Sequence, residues 1–288
     1  MNPNKTVSQI LLEAKKSLKQ SGAVSYALDA ELLLMKVLNF TKTELFTKDT
    51  VFLTKEEQEN YEFLIEERKK GVPVQYLLGE CEFMGLPFYV NESVLIPRPD
   101  TEILIETVLE YHKKKGFQKV LDIGTGTGCI AVSIAHYTNM QVYAVDISEN
   151  ALKTAQKNAQ KNHVMIEFIK SNLFLSFSES FYHTFDIIVS NPPYICTEEI
   201  ETLMTEVKDF EPRLALDGGK DGLFFYREIV EQSRKFLKED GYLFFEIGCE
   251  QAEQVKNIME LSGFEEIEIK KDLAGLDRVI VGKYKQKE

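Results

Sequence analysis

Leu121-Asp122-Ile123-Gly124-Thr125-Gly126-Thr127-Gly128 is the stretch that decides the fold. It follows a short apolar run that reads as a buried strand, and it opens a helix. Glycines here turn the chain tightly out of the strand and let the backbone approach a ligand. A dinucleotide fingerprint, G-x-G-x-x-G, would need glycine at position 129, where the chain has Cys129. The spacing is G-x-G-x-G instead.

Outward from this loop, strands and helices alternate. Strands are expected at Lys119–Ile123, Gln141–Ile147, Ile166–Ser171, Phe185–Ser190 and Tyr242–Ile247, with helices between them and near Phe224–Leu237 and Gln251–Leu261. Two closing strands, Glu265–Lys270 and Arg278–Val281, are joined by a loop too short for a parallel crossover and must pair antiparallel. This predicts an α/β fold, a seven-stranded, mostly parallel sheet with helices on both faces. A class I S-adenosylmethionine-dependent methyltransferase sheet ends in the same antiparallel way. Upstream, apolar residues recur at helical spacing from Thr6 to about Gly71: Val7, Ile10, Leu11, Ala14 and Leu18, then Tyr26–Leu38, then a helix opened by the capping-box pattern Thr54-x-x-Glu57. Glu80–Ile96 reads as a β-hairpin. The expected organisation is a helical domain over residues 1–78, a hairpin linker over 79–97 and a catalytic domain over 98–288. A helix begins after Pro97-Arg98-Pro99, with Asp100 or Thr101 as its N-cap.

Composition narrows the function classes. The chain has 44% apolar and 28% charged residues, the balance of a folded domain. With 46 acidic against 34 basic side chains, its net charge of −12 opposes sequence-independent binding of bare nucleic acid. The run Lys113-Lys114-Lys115 falls at a helix C-terminus, where cations complement the dipole. No apolar window is long enough for a membrane span, and Met1 to Gln20 has no signal-peptide core. Cys81, Cys129, Cys196 and Cys249 are scattered, as expected in a reducing compartment, and neither they nor the four histidines have metal-ligand spacing. A cytoplasmic protein without a metal is expected.

The chemistry is carried by residues at strand ends. Asp122 can accept hydrogen bonds from an ammonium group, and Asp146, ending the next strand, can bind both hydroxyls of a ribose. With Gly124, Thr125, Gly126, Thr127 and Gly128 they suit a nucleoside with an amino-acid tail and no pyrophosphate: S-adenosyl-L-methionine, which leaves as S-adenosylhomocysteine. Asn191-Pro192-Pro193-Tyr194 follows the fourth strand on the same edge of the sheet. Consecutive prolines remove two donors and leave carbonyls as acceptors, Asn191 adds a side-chain carbonyl, and Tyr194 offers a flat face. Such a site receives an NH₂ group. Held by both N–H bonds on Asn191 and the Pro192 carbonyl, an amide nitrogen is driven towards a pyramidal, nucleophilic form. Methylation itself then makes its proton acidic.

Asn-Pro-Pro-Tyr is shared by methyltransferases of adenine N6 and of protein glutamine. The flanking segments resemble the glutamine branch: Pro73-Val74-Gln75-Tyr76, Phe83-Met84-Gly85-Leu86, Leu95-Ile96-Pro97-Arg98-Pro99-Asp100-Thr101-Glu102, Glu211-Pro212-Arg213, Leu216-Asp217-Gly218-Gly219, Asp221-Gly222 and Asp272-Leu273-Ala274-Gly275-Leu276-Asp277-Arg278. Over nearly its whole length the chain resembles the release factor glutamine methyltransferases (PrmC/HemK). The resemblance implies a helical bundle for partner recognition, a hairpin and a methyltransferase domain. It also implies N5-methylation of the glutamine in the Gly-Gly-Gln motif of class I peptide chain release factors. By the same resemblance, Gly124 to Gly128 and Asp146 hold the cofactor, and Asn191, Pro192, Pro193 and Tyr194 the glutamine. Where the family often has an acidic and an aromatic residue lining the adenine, this chain has Asn172 and Leu173, which can still bond the amino group and pack on the ring. Pro97, Arg98 and Thr101 are expected to close over the pocket. Three alternatives stay open on the residues alone: a ribosomal-protein glutamine as substrate, an adenine-N6 methyltransferase, and a non-catalytic cofactor-binding protein. An adenine methyltransferase should carry a basic groove interleaved with aromatics.

Overall fold

The computed structural model describes residues 5–285, which cluster into two compact units. The first runs to Glu80 and takes in Met204–Phe210 from far along the chain. It contains α1 (Val7–Gln20), α2 (Tyr26–Leu38), α3 (Lys42–Thr47), α4 (Lys55–Lys69) and α5 (Val74–Leu78). Thr6, Thr41 and Thr54 each start a helix with a complete capping box, closed by Gln9, Glu44 and Glu57 respectively. The stripe Val7, Ile10, Leu11, Ala14 and Leu18 is buried against Leu33, Leu34, Leu45, Tyr61 and Ile65. Inside this core the Tyr61 hydroxyl donates to the Ala30 carbonyl at 2.9 Å. Arg68, 4% exposed, donates to Asp29 at 2.8 Å and to Glu206 at 2.5 Å, so the Thr205–Lys208 helix is tied to α2 and α4 by an ion network that is buried at Arg68 and Asp29 and open to solvent at Glu206.

The second unit runs from Cys81 to Leu203 and from Glu211 onward. Its elements are the hairpin β1 (Glu80–Phe83) and β2 (Leu86–Tyr89), then α6 (Thr101–Lys115), β3 (Lys119–Ile123), α7 (Cys129–Tyr137), β4 (Gln141–Asp146), α8 (Glu149–Lys161), β5 (Glu167–Lys170) and β6 (Phe185–Ser190). After α9 (Thr205–Lys208), which packs in the first unit, come α10 (Phe224–Ser233), β7 (Leu237–Glu246), α11 (Ala252–Leu261), β8 (Phe264–Lys271) and β9 (Asp277–Tyr284). The sheet order is β5-β4-β3-β6-β7-β9-β8. All pairs are parallel except those of β9, which runs antiparallel between β7 and β8. One face packs on α6 and α7 through Leu104, Ile105, Val108, Ile130 and Ile134; the other packs on α10 and α11 through Tyr226, Ile229, Val255 and Met259. This is the class I methyltransferase sheet, with the order reversing between β3 and β6. That reversal places the glycine loop, Asp146 and Asn191 together at one carboxyl edge.

The hairpin is less of a linker than expected. Phe83, Leu86 and Phe88 belong to the core beneath α6 and α7, and Asn158 of α8 clamps β2 by accepting from the Tyr89 amide at 2.7 Å and donating to the Tyr89 carbonyl at 3.0 Å. At the start of α6 the expected cap is absent. Asp100 occupies the N-cap position without a side-chain bond to the helix and instead faces Arg278 at 3.3 Å. Thr101 is the first helical residue. No helix among the described residues is long and apolar enough to cross a membrane.

Candidate active site

Register brings the site residues together. Ile123 of β3 lies beside Val145 of β4 and Ser190 of β6, and Ser190 lies beside Phe245 of β7. The residues just beyond these positions therefore share one edge. There they border a cavity of about 350 Å³, lined by Gly124, Gly126, Asp146, Asn172, Leu173, Asn191, Pro192 and Pro193 among others.

On the β3 side, Asp146 accepts the Gly126 amide through Oδ2 and the Ser148 amide through Oδ1, both at 2.8 Å. It thereby shapes the loop, and each oxygen keeps a lone pair for a ligand. Burial raises its carboxyl above the usual range. Asp122 lies beneath the loop, 0% exposed. Its Oδ2 accepts from Thr125 Oγ1 at 2.6 Å, while Oδ1 is buried without a hydrogen bond, and burial pushes the carboxyl up to about 7. Asp122 is not among the residues that line the cavity: it lies under them and supports the loop through Thr125, where a contact with an ammonium group had been expected. Gly124 and Gly126, both at positive φ, have no atom within 4 Å of where a Cβ would stand, which leaves room for close approach. The fit to a nucleoside with an amino-acid tail is therefore good.

The rest of the loop does not face the cavity. Thr125 supports Asp122, Thr127 Oγ1 accepts the Cys129 amide at 3.2 Å, and Gly128 packs so closely on Ala155 of α8 that a Cβ would sit 3.0 Å from the alanine methyl. Asn172 and Leu173 do line it, Leu173 at the unusual φ of +50°. Ser93, Val94 and Leu95 line it too, with Pro212, Leu214, Ala215, Phe224 and Phe225 adding to the mostly apolar wall.

On the β6 side, the Asn191 Nδ2 donates to Thr101 Oγ1 at 3.3 Å. Tyr194 does not line the cavity, contrary to the stacking role expected of it. Its carbonyl accepts from Gln251 Nε2 at 2.9 Å, its hydroxyl donates to Glu246 Oε1 at 3.5 Å, and Gly218 and Gly222 press so close that any Cβ on them would collide with its backbone. The turn is thus fixed from three sides. Pro97, Arg98 and Thr101 also lie outside the wall: Arg98 pairs with buried Glu211, and Thr101 stands behind Asn191. Sequence reasoning missed Glu246 and Gln251. Glu246 had a signal, being the one charge in the apolar run Tyr242-Leu243-Phe244-Phe245-Glu246-Ile247; Gln251 had none.

A family model described as the PrmC N-terminal domain matches residues 9–79, and one described as the methyltransferase small domain matches residues 99–210. A release factor glutamine methyltransferase from Clostridium botulinum is 43% identical over 95% of this chain and 98% of its own. One from Clostridium acetobutylicum is 42% identical over 96% and 97%. The chain belongs to the release factor glutamine methyltransferase family. Among solved structures, a methyltransferase from Pyrococcus furiosus superposes with a TM-score of 0.53 at 18% identity, covering 71% of this chain and 91% of that one, a likeness of fold. Asn191 and Pro192 stand on the wall of the same cavity as Gly124, Gly126 and Asp146.

Proposed function

We propose that the chain transfers the methyl group of S-adenosyl-L-methionine to the side-chain amide nitrogen of the glutamine in the Gly-Gly-Gln motif of class I peptide chain release factors. The observation that carries this reading is the placement of Asn191 and Pro192, an acceptor pair, on the wall of the cavity that also holds Gly124, Gly126 and Asp146. Family membership supports it. When bound, S-adenosyl-L-methionine supplies an electrophilic methyl group on a sulfonium. Asp146 would accept from its ribose hydroxyls, Gly124 and Gly126 would let the backbone approach it, Asn172 and Leu173 would border the adenine, and Asp122 beneath the loop would supply negative charge towards the ammonium group. Asn191 Oδ1 and the Pro192 carbonyl would take both N–H bonds of the substrate amide, weakening conjugation of its lone pair and orienting it. Orientation of this kind can supply up to roughly 7–11 kcal/mol. Thr125, Thr127, Gly128 and Tyr194 hold this frame rather than touch the ligands. The helical unit, which carries none of these groups, would recognise the release factor away from the glutamine, and the protein would work in the cytoplasm without a metal, a nucleic acid or a membrane.

Mass spectrometry of intact release factor incubated with the protein and cofactor tests the reading. One methyl group is expected on the Gly-Gly-Gln glutamine. In a single-turnover assay Asn191→Ala should cost roughly 10²–10³ in rate, the usual loss for one preorganised contact in a dry site. A near-normal rate would make Asn191 a turn residue only.

A further inference from the structure

Resting on that reading, we infer that Glu246 is the positioning residue that decides which end of the Asn191 amide faces the substrate. The two ends of an asparagine amide are almost the same size, so shape alone does not choose between them. Only the carbonyl end can receive an NH₂ group; the flipped amide would set donor against donor. The choice must come from what lies behind Asn191.

What lies behind is an acceptor relay. Asn191 Nδ2 donates to Thr101 Oγ1 at 3.3 Å, and Thr101 is 2% exposed. A hydroxyl that accepts one hydrogen bond has its own proton to place, and the carboxyl beside it is Glu246. Burial raises that carboxyl above its ordinary range, while the nearby polar groups of Thr101 and Asn191 oppose the shift by favouring the charged form. Glu246 ends β7 next to the end of β6 and is itself 2% exposed. Its Oε1 accepts from Tyr194 at 3.5 Å, while Oε2 is buried with no hydrogen bond of good geometry, so the group has acceptor capacity to spare. The nearest cation, Arg278, is turned to Asp272 at 3.1 Å and Asp100 at 3.3 Å, so it does not replace the relay. Thr101, outside the cavity wall, keeps Nδ2 inward and leaves Oδ1 as the atom available to the amide.

The test compares wild type with E246L, E246Q, N191D and the double variant N191D/E246Q. It uses single-turnover methyl transfer to intact class I release factor at saturating cofactor, with cofactor affinity measured by calorimetry. E246L, which removes the acceptor, should lower the rate roughly 10- to 150-fold, the loss of one hydrogen bond to a charged group, with cofactor affinity unchanged. E246Q keeps an acceptor oxygen and should lose less than E246L. In N191D two carboxylates face each other across Thr101. Adding E246Q reverses the relay, the introduced amide donating to Thr101 and Thr101 donating to the introduced carboxylate, so the double variant should be about 5-fold or more faster than N191D alone. Mere packing by Glu246 would give no such rescue. The positioning role falls if E246L turns over within twofold of wild type, or if N191D/E246Q is no faster than N191D. Wild type that leaves the glutamine unmethylated would overturn the proposed function and this role with it, whereas a methylating wild type with either of those results overturns the role alone.

Discussion

Asp122 is the buried acid beneath the glycine loop, and its acid–base behaviour bears on the proposed cofactor site. Its carboxyl is raised by burial from 3.8 to about 7, so the folded chain holds that proton more tightly than the unfolded chain does. The sign follows: the stabilising contribution is complete below the unfolded value and is lost as pH rises through about 7. Ligand-free Asp122→Asn should therefore lose less stability than wild type between about pH 4 and pH 7, as thermal unfolding across that range would reveal. On the proposed reading, a cofactor ammonium group held near this carboxyl would favour its ionised form. Cofactor binding near pH 6 should then release a proton, seen as a binding enthalpy that changes with the ionisation enthalpy of the buffer. Equal release in Asp122→Asn would exclude this carboxyl. Asp146 invites a different measurement. Because it also accepts from Gly126 and Ser148, Asp146→Ala removes a ligand contact and loosens the loop together. Cofactor affinity should drop by at least the roughly 10- to 150-fold expected for one charged hydrogen bond, with a smaller effect on the transfer rate. Unchanged affinity by calorimetry would place Asp146 outside the site.

At the scale of elements, local pattern carried most of the fold. Most parallel strands are short runs rich in apolar residues, β4, β6 and β7 ending in Asp146, Ser190 and Glu246, and several helices announce themselves by a capping box or an apolar period. What escaped was short or irregular. α3 has its capping box, Thr41 to Glu44, but only Leu45 is buried, too little for a visible period. The start of β7 was hidden because Lys238-Glu239-Asp240-Gly241 is polar; there Asp240 takes a φ of +63° and the pairing with β6 shifts register. On the cavity wall, Gly124, Gly126 and Asn191 were legible because each sits in a contiguous motif. Ser93–Leu95 on the wall and Gln251 behind Tyr194 were not, since tertiary pairing alone brings them there. The clamp at Asn158 is one such pairing, joining β2 to the Thr127 carbonyl at 2.8 Å as well as to Tyr89. Asn158→Leu would leave these backbone groups without partners, at about 1–3 kcal/mol for a buried unsatisfied group. A lowered Tm and faster hydrogen exchange at the Tyr89 amide are expected. Exchange at the wild-type rate would show that the hairpin holds without the clamp.

On the scale of the whole molecule, the helical unit contributes no residue to the cavity wall, yet it has a complete core of its own. Remote recognition of the release factor by this unit predicts that a short Gly-Gly-Gln peptide is a poor substrate, with kcat/KM far below that of the intact factor. Equal values for peptide and factor would dismiss the idea. The formal charge of −12 adds that added salt should alter this encounter in proportion to the opposing charge on the partner.

The helical unit is built from two stretches of chain, because Met204–Phe210 belongs to it as well. A gene fusion that merely appended a ready-made helical bundle to a methyltransferase would leave the boundary at one point in the chain. Here the buried Arg68 draws on Glu206 as well as Asp29, so a bundle transplanted by residues 5–80 alone would arrive with half of its ion network missing. Any recombinant that exchanges bundles between relatives must carry two separate pieces of coding sequence, and chimaeras that inherit both should outlast those that inherit one.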